Sequence, residues 1–284
     1  MILLSGATGK TGQKLVDLIR SRNLSARAIV RDPEKADALR ASGLETVVGD
    51  LQDGATLAKA MADVDRAFLL MANTENQCLL EKNFIDAARA AAVSQLVKLS
   101  AIGADSGSTA VLKRYHGEVE DYLRQSGLVY TIVQAGFFMD NMFTCAHSIA
   151  REDRFYLPMG SGRTAPIDIR DVAEAALAAL TQPGHENKTY LITGAEMLSF
   201  ADMAAVFSEV LGREIQYVDV PEEEFRQQLI AAGLSDWYVS AVLQLFEFNR
   251  LNLNAKITGD YTQITGKAPI PLWQFVQDYA ARFN

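Results

Sequence analysis

Near the start of the chain, Gly6-Ala7-Thr8-Gly9-Lys10-Thr11-Gly12 has the make-up of a phosphate-cradling turn. It follows a short apolar run, Ile2-Leu3-Leu4. It precedes a helical pattern, Gln13 to Arg22, with Leu15, Leu18 and Ile19 at helical spacing. A strand that feeds a tight glycine turn and then a helix aims backbone N–H groups and the positive end of the helix dipole at one point, where a pyrophosphate fits. In such a turn Gly6 allows the bend, Gly9 the close approach of the phosphates, and Gly12 the packing of helix on strand. The spacing, Gly-x-x-Gly-x-x-Gly, differs by one residue from the common dinucleotide form. The strand–turn–helix context is nonetheless the one that chemistry requires.

The residues after the second strand bear on which dinucleotide is read. NAD readers place a carboxylate about 20 residues beyond the glycines to hold the ribose hydroxyls. Here Arg31 comes first after Val30, and a guanidinium can grip a 2′-phosphate bidentately. Lys35 lies one helical turn on and Lys10 sits in the glycine turn, so these cations are expected to converge on a 2′-phosphate. NADP(H) is the expected cofactor, with NAD(H) possible. Asp32 competes with that reading, because it can contact ribose hydroxyls, and Arg31-Asp32 can equally be a solvated loop pair. After the third strand comes Gly49-Asp50-Leu51. A carboxylate and an apolar side chain there suit the edge and face of an adenine, and a helix cap is the competing role for Asp50.

The elements that would position these residues alternate. Strands are expected at Ile2–Leu4, 26–30, 44–48, 66–71, 95–100 and 129–133, with helices at 13–22, 34–42, 53–61, 75–91 and 110–125. Strands alternating with helices imply βαβ units, a parallel sheet, and right-handed crossovers that cover both faces. The fold class is therefore α/β, a Rossmann-type doubly wound parallel sheet. After residue 134 the rhythm changes. Helices are expected at 171–180, 199–211, 221–232, 236–248 and 272–282, with one strand at 189–192. Residues 1–150, with sheet contributions from about 165–195, read as the dinucleotide-binding domain. Residues 151–284 read as a smaller, mostly helical lobe over the carboxyl edge of the sheet, forming the substrate pocket.

The 284 residues carry a net charge of −8 with scattered basic residues, which argues against direct nucleic-acid binding. Apolar residues make up 49%, ample for a packed core. Cys78 and Cys145 are read as reduced, buried thiols, and His116, His147 and His185 lie too far apart to suggest a metal site. No apolar run approaches a membrane span, and Met1 to Leu4 is too short for a signal-peptide core, so a cytoplasmic location is expected. A monomer or a homodimer fits equally well.

Taken in order, several segments resemble the NmrA-like group of atypical short-chain dehydrogenase/reductases. They are the glycine turn, Ile29-Val30-Arg31-Asp32, Gly49-Asp50-Leu51, Leu99-Ser100-Ala101, His116 with Glu120, Gly136-Phe137-Phe138-Met139-Asp140-Asn141, and Gly184-His185-Glu186-Asn187-Lys188-Thr189-Tyr190. Within the group the likeness is strongest to the NAD(P)H:quinone oxidoreductase and triphenylmethane-reductase-like members, and it covers nearly the whole chain. The resemblance implies a cofactor surface built from Gly6, Thr8, Gly9, Lys10, Thr11, Gly12, Arg31, Lys35, Asp50, Leu51, Met71, Ala72, Ser100, Ala101, His116, Gly136, Phe137 and Phe138. Ordinary enzymes of the superfamily use Tyr-x-x-x-Lys, in which the lysine lowers the tyrosine pKa. Tyr115 is present but Val119 stands at the lysine position, so the motif is broken. The resemblance sets His116 where related members carry a lysine or histidine facing the nicotinamide ribose. Glu120, at i+4, is expected to orient its imidazole, with a plain surface pair as the competing reading. Related sequences often read Arg-Pro after the sixth strand; here it is Gln134-Ala135.

A ketone reduction generates a hard alkoxide and wants a strong proton donor, whereas a quinone or conjugated dye spreads the charge. The missing Tyr–Lys pair therefore fits a small-molecule, quinone-like acceptor better. His116, Tyr115 and Asn141 are the catalytic candidates. Phe138, Met139, Asn141 and Trp237 are the pocket candidates, with Trp237 also readable as core. The alternative of a different class is an NmrA-like redox sensor that binds NADP(H) without turnover and acts through a protein partner. A transient-cofactor isomerase or lyase is a third, which nothing in the sequence selects.

Overall fold

The computed structural model describes all 284 residues. In the first half β1 (Ile2–Leu4), α1 (Lys10–Ser21), β2 (Ala26–Val30), α2 (Pro33–Ala41), β3 (Glu45–Val48), α3 (Gly54–Met61), β4 (Arg66–Leu69), α4 (Gln77–Ala90), β5 (Gln95–Ala101), α5 (Val111–Gln125) and β6 (Tyr130–Ala135) alternate strictly. The second half adds α6 (Ala146–Glu152), β7 (Arg154–Leu157), β8 (Arg163–Thr164), α7 (Ile169–Thr181), β9 (Lys188–Ile192) and β10 (Leu198–Ser199). It continues with α8 (Phe200–Leu211), β11 (Gln216–Asp219), α9 (Glu222–Ala231), α10 (Asp236–Arg250), α11 (Asp260–Thr265) and α12 (Leu272–Asp278).

Seven strands form one sheet in the order β3-β2-β1-β4-β5-β6-β9, and every pairing is parallel. Leu4 is in register with Ala28 on one side and Phe68 on the other, so β1 is covered on both edges. This is the doubly wound fold expected from the alternation. The strand order reverses between β1 and β4, and ligands of such sheets bind outside the carboxyl ends at that point. The glycine turn leaves β1 there.

Local chemistry ends the elements where it should. Gly43 stops α2 with φ +93°, a left-handed value that costs glycine little. Pro33 opens α2, where its fixed φ and missing N–H fit. Ser199 and Asp202 form a reciprocal capping box on α8.

One face of the sheet packs on α1 and α7, with Leu15, Ile19, Val172 and Leu177 buried. The alanines of α7 (Ala173, Ala175, Ala176, Ala178, Ala179) let that helix lie close to the strands. The other face packs on α3, α4 and α5 through Leu57, Phe84, Ile85, Val119 and Leu123. A third core holds the later elements together around Phe155, Phe200, Phe207, Phe275 and Phe283.

The second half holds more strand than its helical reading suggested. β11 pairs in parallel with β7, and β10 pairs antiparallel with β8. These strands are two to four residues long, too short for a period-two pattern to mark them in the sequence. The short α11 also returns to the main sheet. Tyr261 donates to Asp171 Oδ1 at 2.8 Å, and Asp260 Oδ2 accepts from Leu191 N–H at 2.7 Å.

Candidate functional site

The glycine turn closes against backbone, which no side chain would tolerate. Gly6 has φ +67°, and a Cβ there would lie 2.6 Å from the Leu70 carbonyl oxygen. A Cβ on Gly12 would lie 2.0 Å from the Gly6 carbonyl oxygen. Gly9 differs: its Cβ would meet only the Gly6 oxygen, at 3.4 Å, and the residue is exposed. Two glycines thus close the turn and the third leaves its outer surface open. Gly9 gives α1 no side-chain cap, which leaves the first turn of the helix directed at whatever lies above it. Thr8 is half-buried, Lys10 exposed and Thr11 buried. Ser5 fastens the ends of β1 and β4 together by donating to the Leu70 carbonyl at 3.0 Å and accepting from the Leu70 N–H at 2.9 Å.

Beyond β2 the neighbours Arg31 and Asp32 separate. Asp32 caps α2, accepting from Glu34 N–H at 2.9 Å and Lys35 N–H at 3.4 Å. One oxygen, Oδ1, serves the helix, while Oδ2 keeps only the distant Lys35 ammonium. Arg31 is exposed and makes neither hydrogen bond nor ion pair with the chain. Lys35, with its ammonium 3.9 Å from Asp32 Oδ2, stays mostly exposed. Lys10 is exposed on the glycine turn. Its charge acts on Asp140, so it belongs to the side of the turn where β6 ends.

Asp50 is not the cap of the next helix. Asp53 holds that place, accepting from Ala55 N–H at 3.0 Å and from the Thr56 hydroxyl at 2.5 Å, which also pulls its pKa down. Asp50 instead makes a local turn by accepting from Gln52 N–H at 2.9 Å. Leu51 is only 8% exposed and packs in the second core, so little of its side chain is left for an adenine face. Met71 is half-buried and Ala72 exposed at the end of β4.

The carboxyl ends of β5 and β6 carry a different arrangement from the expected histidine–carboxylate pair. Glu120 does not orient His116. It accepts from the Ser100 hydroxyl at 2.5 Å, from Gln134 Nε2 at 2.9 Å and from Arg124 at 2.7 Å. Gln134, at the position where related sequences carry arginine, thus acts as a neutral amide donor, and Glu120 clamps β5 to β6. His116 Nδ1 is sealed from solvent with no hydrogen-bond partner. Burial and then the nearby Lys98 charge hold the imidazole pKa well below its ordinary value, so His116 is neutral near pH 7.

Tyr115 stacks on Trp237, with centroids 6.4 Å apart and planes 25° from parallel. Trp237 is half-buried and outside the three cores, so the core role weighed for it does not hold; α10 brings it over α5 instead. Gly136 donates to the Ile192 carbonyl, tying the end of β6 to β9. Phe137 packs edge-on against Phe200, and Phe138 bridges to Ile167; both keep partial exposure. Met139 is 1% exposed and joins the third core, and it also lines a small cavity with Pro166, Leu198, Ile270 and Leu272. Asn141 is exposed on the turn that follows.

The structure adds residues that spacing did not reveal. Asp140 is buried, its Oδ2 unpartnered and its pKa raised by burial and by Asp168. Lys98 on β5 and Glu81 on α4 form an ion pair at 2.8 Å with both side chains essentially inaccessible. Beside it, Gln77 and Thr74 also hold unpartnered buried atoms. The one signal available was Lys98 itself, a charge in the middle of a strand that is buried on both faces.

An NAD(P)H azoreductase of Xenophilus azovorans is 35% identical to this chain over 284 residues, covering 100% of this chain and 99% of that one. Quinone oxidoreductase 2 of Escherichia coli (strain K12) is 31% identical over 83% of each chain. Among solved structures, the NADPH-dependent quinone oxidoreductase of Escherichia coli complexed with NADPH matches with a TM-score of 0.89 at 26% identity, covering 99% of this chain and 100% of that one. The triphenylmethane reductase of a Citrobacter species complexed with NADP(H) matches with a TM-score of 0.86 at 26% identity, covering 98% and 99%. The family model described as the NmrA-like family matches residues 1–265. The chain belongs to the NmrA-like family.

Proposed function

We propose that the chain is an NADP(H)-dependent reductase acting on a quinone or a similarly conjugated small molecule. One observation carries the reading. A turn that excludes side chains at Gly6 and Gly12 stands at the switch point of a parallel sheet, and an unpaired, exposed Arg31 ends the adjoining strand. The relatives named as NAD(P)H azoreductase and quinone oxidoreductase support the reading, as do the likenesses to chains complexed with NADPH and NADP(H).

When bound, the dinucleotide supplies a hydride. The chain supplies position. The open surface at Gly9 and the first turn of α1 hold the pyrophosphate, and Arg31 with Lys35 holds the 2′-phosphate. Ser100, Ala101 and the Gly136–Phe138 turn border the nicotinamide end. Tyr115 and Trp237 give an aromatic wall on which a planar acceptor stacks. Asn141 offers a free amide to an acceptor oxygen. With Val119 in place of the usual lysine the Tyr–Lys pair is absent, and a conjugated acceptor is the class that asks least of an acid.

The test is spectrophotometric. The purified chain, NADPH and a panel of benzo- and naphthoquinones should show loss of reduced-nicotinamide absorbance. Tight NADPH binding with no turnover across the panel would overturn the reading in favour of a sensor.

A further inference from the structure

The start of α5 holds α10 at three points along its length. Tyr115 stacks on Trp237 in the first turn of α10, with centroids 6.4 Å apart. The Val111 N–H donates to Gln244 Oε1 at 2.8 Å near the middle. The Lys113 ammonium lies 3.7 Å from the centre of the Phe248 ring in the last turn. The helix beside α10, α9, has no buried residue and so adds little support. Lys113 also reaches beyond α10. It donates to Asn254 Oδ1 at 2.7 Å, and Asn254 donates in turn to Asn249 Oδ1 at 2.9 Å. It passes under the turn that follows β5. A Cβ on Gly103 would lie 2.6 Å from Nζ, and the Lys113 carbonyl accepts from Asp105 N–H at 3.1 Å. Lys113, Asn249 and Asn254 are all buried. No carboxylate lies within ion-pair distance of the ammonium; an amide oxygen and a ring face stand in that place. A methionine of similar length would fill the space without desolvating a charge. A charge kept in such a place calls for a role that an apolar side chain would not fill.

We propose that Lys113 is a positioning residue for the acceptor pocket: its ammonium, drawn to the Phe248 ring and the Asn254 amide, seats α10 on α5 and so sets Trp237 against Tyr115. The role rests on the reductase reading above, in which these two rings take a planar acceptor. A ring face attracts a cation and not a neutral amine. The hydrogen bond to Asn254 weakens in the same step, since a charged donor bonds about twice as strongly as a neutral one. Burial and then the Lys256 charge lower the Lys113 pKa to about 8, with Asp105 acting the other way. The seat is therefore firm while Lys113 is protonated and loosens as the pH rises through that value. The remaining charges close by are engaged elsewhere. Arg114 faces Glu118 and the Tyr115 ring, and Arg250 faces Glu222. Losing the proton relieves the burial of a charge, so the fold as a whole gains stability while the orientation of α10 is lost.

Lys113→Met keeps the bulk, removes the charge and should stay folded. In wild type the quinone KM should rise about threefold as the pH is raised from about 7 to about 9, with the NADPH KM steady. Lys113→Met should show the raised quinone KM at both ends of that range, with kcat near the wild-type value. Asn254→Asp sets a carboxylate against the ammonium, raises the Lys113 pKa and should carry the rise in KM to higher pH. A role in packing alone gives none of these pH effects. A quinone KM that is flat with pH in wild type, or that rises equally in Lys113→Met, would overturn the proposal. Trp237 fluorescence reads the seat without turnover in a Trp273→Phe chain, which keeps one of the two tryptophans. Its emission should change as the pH passes about 8 with Lys113 present and stay constant in Lys113→Met. If it does so but wild type reduces no acceptor, the positioning claim stands and the reductase reading is what fails. Constant emission in both chains overturns the positioning claim itself.

Discussion

Arg31 and Asp32 are adjacent, yet the structure uses them oppositely. One carboxylate oxygen of Asp32 caps the first turn of α2, and the guanidinium is left without a partner. Spacing alone left both available to a ribose. It could not separate them, because a cap is made by backbone geometry that the residue letters do not specify. Arg31→Ala should weaken NADPH about 30-fold, as expected for losing charge-assisted hydrogen bonds worth about 2 kcal/mol, and should barely change NADH. Calorimetric titration of both dinucleotides checks this, and an equal loss for both would reduce Arg31 to a loop residue. Gly12 makes a stricter demand. Its added Cβ would lie 2.0 Å from backbone that cannot swing away. Gly12→Ala should cost about 3 kcal/mol of stability and abolish dinucleotide binding. A thermal melt with and without NADPH measures both effects. His116 was visible in the sequence as a candidate, but its partners were not. An i,i+4 carboxylate suggested Glu120; the fold gives Glu120 to Ser100 and Gln134 and leaves the imidazole Nδ1 buried without a partner.

At the scale of elements, α5 links the sheet to the later helices. Val111 N–H donates to Gln244 at 2.8 Å, and Lys113 donates to Asn254 at 2.7 Å with its ammonium 3.7 Å from the Phe248 ring. Lys113, adjacent to Arg114 in the sequence, is only 3% exposed. Burial, then the charge of Lys256, lowers its pKa to about 8 from 10.5. Between those values the unfolded chain binds more protons, so stability rises with pH across that window. Wild type should therefore gain stability relative to Lys113→Met as pH is raised from about 8 to 10. Melts at a series of pH values test this, and parallel curves would contradict it. The stack of Trp237 on Tyr115 makes a separate prediction. Trp237→Ala should raise the quinone KM several-fold with little change in NADPH affinity, because it removes one wall of the acceptor pocket. Steady-state kinetics with each substrate varied in turn separates the two. Helices such as α4, α5 and α8 were legible from periodicity and caps. The strands β7, β8, β10 and β11 were not, because their pairing is set by contacts distant in the chain.

The whole molecule followed from one repeated pattern. Apolar runs alternating with helical stretches allow few arrangements, and the right-handed crossover rule leaves the doubly wound sheet as the natural one. The sheet order places the glycine turn at the switch point, so the site's location was legible along with the fold. Much of the acceptor side was not. Trp237 meets Tyr115 across more than a hundred residues of chain, and Lys98 on β5 meets Glu81 on α4 in a buried ion pair, and such meetings leave no periodic trace. The proposed function joins the two halves of the site: NADP(H) held by the turn and Arg31, and a conjugated acceptor reduced against it. The most direct measurement is the initial rate of NADPH oxidation with a naphthoquinone, compared between wild type and Arg31→Ala at subsaturating NADPH. The account predicts steady turnover by wild type and a loss of roughly 30-fold in the variant, restored in large part by saturating NADPH. No turnover by wild type, or turnover indifferent to Arg31, would contradict it.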